Sequence, residues 1–203
     1  MVKVKICGIT NLEDALAALF CGADAIGFVF YKKSPRYIDP IKARNISRIL
    51  PKKILKVGVF VDEREGRIKS ISKMCALDFL QFHGNESPEF CSKFKGYKVI
   101  KAFKVKDKID LASLKEYKRF AYLFDTFSKS KVGGTGKKFN WNLLREKGKM
   151  NNPVFLSGGL NAGNIKSALK IVKPDWVDLS SSVESKPGKK DHKKILSFIK
   201  KIK

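Results

Sequence analysis

Val2-Lys3-Val4-Lys5-Ile6-Cys7-Gly8-Ile9-Thr10 opens the chain. Val2, Val4 and Ile6 alternate with Lys3 and Lys5, the two-residue period of a β-strand. Cys7 sits where that strand ends, and Gly8 lets the backbone turn. Thr10 with Glu13 three residues on has the form of a helix-initiating capping box. A thiol at the C-terminal tip of a strand, just before a helix, stands where α/β proteins place their chemistry. Taken alone, Cys7 reads rather better as a small buried hydrophobe, and the rest of the chain reverses that preference.

The same strand-then-helix unit recurs to the end of the chain. Leu12, Ala15, Leu16, Leu19 and Phe20 share one helical face. The near-continuous apolar run 24–30 is what a parallel strand buried on both faces requires. Further strands are predicted at 54–61, 77–82, 98–103, 121–124, 153–156 and 176–179. Asp39-Pro40 and Ser87-Pro88-Glu89 read as helix starts, another helix is expected from Asn140, and 165–172 reads as helical. The lysine-rich end, Lys189 to Lys203, is an amphipathic final helix with Ile195, Leu196, Phe198, Ile199 and Ile202 as its apolar face. Eight strands and eight helices at about 25 residues per unit predict a parallel sheet with right-handed crossovers. Eight such units make a (β/α)8 TIM barrel, here as a single compact domain over 1–203, with a doubly wound open sheet as the alternative.

Composition narrows the function. No apolar run approaches the roughly 20 residues that span a bilayer, and the chain starts on a strand pattern with no signal-peptide core; a cytoplasmic protein is expected. Four widely spaced cysteines without a C-x-x-C pair, and only two histidines, argue against zinc, a disulfide framework or any metal centre. The 43 Lys and Arg against 19 Asp and Glu give a net charge of +24. Such a charge suits nucleic acid or an anionic membrane, or a lysine-coated surface with an anionic small ligand. The lysines are scattered, and the densest cluster carries an apolar docking face, which favours the small ligand.

In a barrel the site lies at the C-terminal tips of the strands. Those tips gather Cys7, the loop to Arg36, Asp62, His83, Phe103, Asp125, Gly158-Gly159 and Ser180-Ser181-Ser182 at one mouth. Gly158 and Gly159 let backbone approach an anion, and the serines add donors, as a phosphate site at strands seven and eight requires. Gly133-Gly134-Thr135-Gly136 lacks P-loop spacing and reads as a lid that brings Gly134 to the pocket. Arg36 has the guanidinium to hold a carboxylate bidentately. Asp125, leaving an apolar strand, suits a general acid, and Cys7 as thiolate suits a base or nucleophile. His83 reads as substrate-binding or structural, and His192 as structural.

Several segments together resemble the phosphoribosylanthranilate isomerase family of tryptophan biosynthesis. They are Lys5-Ile6-Cys7-Gly8-Ile9-Thr10, Ser34-Pro35-Arg36-Tyr37, Leu80-Gln81-Phe82-His83-Gly84, Phe124-Asp125-Thr126, Gly133-Gly134-Thr135-Gly136, Ser157-Gly158-Gly159-Leu160-Asn161 and Val177-Asp178-Leu179-Ser180-Ser181. The resemblance implies an Amadori rearrangement of N-(5-phosphoribosyl)anthranilate with no cofactor and no metal. It implies Cys7 as general base at C2, Asp125 as general acid at the ring oxygen, and Arg36 on the anthranilate carboxylate. The phosphate would lie at Gly158, Gly159, Ser181 and Ser182, with His83 and Gly134 also at the substrate. The expected partner is a small anionic substrate, not nucleic acid or membrane, bound by a monomer or homodimer. Two departures stand out: Ser182 replaces the family's usual glycine, and Ala162-Gly163 replace its usual proline and acidic residue. A nucleic-acid-binding barrel that has lost the activity is the rival from another class. Among enzymes the rival is the related histidine-pathway isomerase, which uses an aspartate where this chain has Cys7.

Overall fold

A computed structural model describes residues 1–107, 110–126, 139–144 and 152–203. Eight parallel strands close on themselves: β1 (Lys3–Cys7), β2 (Ala25–Val29), β3 (Leu55–Phe60), β4 (Phe79–Phe82), β5 (Lys98–Val105), β6 (Ala121–Thr126), β7 (Val154–Leu156) and β8 (Trp176–Leu179). β1 pairs with both β2 and β8, which makes the sheet a closed barrel and excludes the open doubly wound sheet. Seven helices are described: α1 (Leu12–Phe20), α2 (Pro40–Ile49), α3 (Glu65–Met74), α4 (Pro88–Ser92), α5 (Leu111–Glu116), α6 (Ile165–Val172) and α7 (His192–Ile199). Where a helix is expected from Asn140, 141–144 form a short 3₁₀ turn, and the rest of that segment lies outside the described residues.

The strand parity explains the core. Even-numbered Val4, Ile6, Ile26, Phe28, Phe60, Leu80, Phe82, Tyr122 and Phe124 face out and pack beneath the helices. Odd-numbered Ala25, Val57, Leu123 and Phe155 face in, with Trp176 stacked on Phe155 at 4.9 Å. The interior is thus apolar at its N-terminal end and polar at the other. Lys5, which the alternating pattern pairs with its exposed neighbour Lys3, is fully buried inside the barrel.

Three local expectations are corrected. The cap of α1 is Asn11, whose Oδ1 accepts from Asp14 N at 2.8 Å; Thr10 donates to Gly188 O instead. The run after β8 forms a small hairpin, β9 (Glu184–Lys186) against β10 (Lys189–Lys190), so the last helix starts only at His192. Leu196 is 41% exposed and lies off the apolar face that Ile195, Phe198 and Ile199 bury against the barrel.

Candidate active site

One cavity opens at the C-terminal end of the barrel. Cys7, Val29, Val59, Gln81, His83, Asp125, Ser157, Asp178 and Ser180 line it, with Arg36 from the loop after β2. On β1 to β4 and β6 the lining residues carry odd numbers, and on β8 Asp178 continues the even row of inward-facing Trp176, so the lining lies on the inward face above the apolar layer. This register brings Cys7 and Asp125, far apart along the chain, onto the wall of the same cavity.

A side cavity continues from it and shares Asp125, Ser157, Asp178 and Ser180. Its remaining lining includes Gly158, Gly159, Ser181 and Ser182. Gly158 and Gly159 have φ of +83° and +66°. A Cβ on Gly158 would run into the Thr126 hydroxyl, so both backbone hand and space demand glycine there. The Asn164 amide donates to Gly159 O at 2.8 Å and ties the turn to the start of α6.

The charged groups are each held. Arg36 donates through Nε and Nη2 to the two oxygens of Glu184 at 2.9 and 2.7 Å. The bidentate carboxylate expected of Arg36 is therefore met first by a residue of this chain. Lys190 Nζ, fully buried, donates to Glu184 Oε1 at 2.9 Å and to Cys7 O at 2.6 Å. Burial is the strongest influence on Glu184 and pushes its pKa up, but Arg36 and Lys190 outweigh it and hold the carboxyl below its ordinary value. Asp125 accepts from Thr126 N at 2.8 Å, and His83 Nε2 lies 3.4 Å from its other oxygen. Gln81 Nε2 is 3.0 Å from His83 Nδ1, the ring nitrogen other than the one nearer Asp125. Burial raises the Cys7 thiol above its ordinary value, against the opposing pull of Lys5 and, less strongly, of Lys190.

Of the sequence candidates, Cys7, Arg36, His83 and Asp125 meet in the main cavity, and Gly158, Gly159, Ser181 and Ser182 in its side cavity. Gly134 and its lid segment lie outside the described residues. Asp62 turns aside to accept from Asn85 N, and Phe103 packs outward on Tyr117 and Tyr122. Gln81, Asp178, Glu184 and Lys190 carry no role in the sequence reading of single residues. The signal that finds Gln81 and Asp178 is parity, since each sits two residues before a strand-tip candidate.

A family model described as N-(5'-phosphoribosyl)anthranilate (PRA) isomerase matches residues 4–201. The chain belongs to this family. The isomerase is 48% identical to the N-(5'-phosphoribosyl)anthranilate isomerase of Thermotoga neapolitana over 204 residues, covering 100% of this chain and 99% of that one. Phosphoribosyl anthranilate isomerase from Thermotoga maritima has a TM-score of 0.93 to it at 46% identity, over 99% and 98% of the two chains. A phosphoribosyl anthranilate isomerase in complex with reduced 1-(o-carboxyphenylamino)-1-deoxyribulose 5-phosphate has a TM-score of 0.90 at 46% identity, with the same coverage. The chain is accordingly an isomerase of tryptophan biosynthesis.

Proposed function

We propose that the chain converts N-(5'-phosphoribosyl)anthranilate into 1-(2-carboxyphenylamino)-1-deoxyribulose 5-phosphate, with Cys7 as base and Asp125 as acid. The observation that carries this reading is the single cavity walled by both groups and continued by a glycine- and serine-lined annex. Asp125 gives its proton to the ring oxygen, the C1–O bond breaks, and the anthranilate nitrogen lone pair forms the C1 iminium. The Cys7 thiolate removes the C2 proton, and those electrons neutralise the iminium to give an enolamine. Proton loss from the C2 hydroxyl and gain at C1 yield the ketone, so no atom is added or lost. Proton transfer in both directions needs no cofactor or metal.

Arg36 would take the anthranilate carboxylate through the guanidinium edge that Glu184 leaves open. Glu184 fixes the plane of that guanidinium, which cuts the entropy lost on binding. Gly158, Gly159, Ser181 and Ser182 would hold the phosphate, with His83 beside Asp125 and Gly134 also contacting the substrate. The extra hydroxyl of Ser182, where the family usually has glycine, would be a donor to the same phosphate. The proposal treats 1–203 as one barrel domain, acting in the cytoplasm as a monomer or homodimer and meeting neither nucleic acid nor membrane. No helix among the described residues is long and apolar enough to cross a membrane.

The test is the fluorescence of phosphoribosylanthranilate mixed with the purified, folded protein. Loss at a rate proportional to protein concentration is expected. A rate no faster than the uncatalysed one would overturn the reading, and tight RNA binding at moderate salt in its place would favour the nucleic-acid rival.

A further inference from the structure

One buried charge pair is unused by the scheme above. The register of β1 on β8 sets Lys5 directly opposite Asp178, and Lys5 Nζ donates to Asp178 Oδ1 at 2.8 Å. Neither side chain is more than 6% exposed. An ion pair is a poor way to fill a barrel interior, because desolvation cancels much of its attraction. Two residues further along β1, on the same inward face, stands Cys7. The partner of Cys7 on β2 is Gly27. A Cβ there would sit 2.8 Å from Cys7 Sγ and 3.2 Å from Lys5 Cε. The missing side chain is what lets the end of the lysine and the thiol share that space.

We infer that Lys5, anchored by Asp178, is the cation that keeps Cys7 available as a thiolate. It is a positioning residue acting through the thiol. The inference rests on Cys7 being the base of the proposed reaction.

Of the other charges around Cys7, Lys190 also pulls the thiol down, but less strongly than Lys5. Lys190, on β10, spends its ammonium on Cys7 O, Ser180 O and Glu184. Arg36, from the loop after β2, is neutralised by Glu184. Asp125 on β6 and His83 beyond β4 face each other on the cavity wall. Asp178 on β8 opposes the thiolate, and Lys5 is the strongest of the groups that favour it. Burial is the largest influence on the Lys5 ammonium and favours proton loss, yet Asp178 and Cys7 together raise its pKa above the ordinary value.

The test is the pH dependence of Cys7 alkylation by iodoacetamide, followed by mass spectrometry of the Cys7 peptide, in the wild type and in Lys5→Met. Burial pushes Cys75 to about 11 and Cys91 to about 12, which keeps those thiols out of the way. Losing the cation should move Cys7 titration upward by about one pH unit or more, cutting alkylation at neutral pH roughly tenfold. The ascending limb of kcat/KM against pH should move with it. An unshifted Cys7 titration in folded Lys5→Met would overturn the inference and leave the base assignment standing. A shifted titration with an unshifted kcat/KM limb would support the role of Lys5 and remove Cys7 as the base. Should Lys5→Met fail to fold, Lys5→Met/Asp178→Asn removes both charges and leaves no uncompensated carboxylate. The same upward shift is expected there, because Lys5 acts on the thiol more strongly than Asp178 does; no shift would overturn the inference.

Discussion

Asp125 is held at one oxygen by Thr126 N, with His83 Nε2 3.4 Å from the other, before any substrate arrives. A group so held loses little freedom in the transition state, and its removal should act on chemistry more than on binding. Asp125→Asn is expected to lower kcat by about 10²–10⁴ while KM moves little; a near-normal kcat in steady-state assays would place the acid elsewhere. Arg36→Ala should act the other way, raising KM about tenfold or more with a smaller effect on kcat. An unchanged KM would show that the carboxylate is bound by another group. Cys7 and Asp125 were legible because each stands at the end of an apolar strand, and Arg36 because it lies in the loop after one, where a thiol, carboxyl or guanidinium has no packing reason to be. Lys5, Gln81 and Asp178 were not. A polar residue within a strand normally faces solvent, and only barrel closure, which turns one whole face inward, reverses that inference.

Helix starts written into the sequence as Asp39-Pro40 and Ser87-Pro88 form as read. Asp39 Oδ1 accepts from Ile41 N at 2.8 Å, and Ser87 Oγ accepts from Phe90 N. Asp39→Ala should therefore cost about 1 kcal/mol in denaturant unfolding, and no loss would mean that the cap is idle. Thr10 misled because its hydroxyl serves a long-range partner, Gly188, which no local motif reveals. The β9–β10 hairpin was missed for the same reason. Its anchor is Glu184, whose three charged contacts come from Arg36 and Lys190. Because the pKa of Glu184 is lowered on folding, its contribution to stability is present above the ordinary glutamate value of about 4.3 and is lost as pH falls through the lowered one. Glu184→Gln should thus be clearly less stable than wild type near pH 7, with the gap closing in acid; a gap constant with pH in urea melts would deny the carboxylate that role.

The molecule as a whole pairs a strongly cationic chain with a site for a small anion. A net charge of +24 should draw a substrate that carries both a phosphate and a carboxylate toward the cavity from beyond contact distance. Steering of this kind is screened by salt, so kcat/KM should fall several-fold as ionic strength approaches about 1 M, where the screening length is about 3 Å. A flat salt profile would make the charge irrelevant to catalysis. The barrel itself was legible from the count of alternating units, since eight parallel strands with short connections close most readily on themselves. Closure then brings Cys7 on β1 and Asp125 on β6 onto the wall of one cavity. The sharpest check is single-turnover kinetics of Cys7→Ala with saturating phosphoribosylanthranilate, alongside its affinity for a reduced product analogue. The predicted result is a rate lower by about 10² or more with analogue affinity close to wild type. Turnover within a few-fold of wild type would contradict the account.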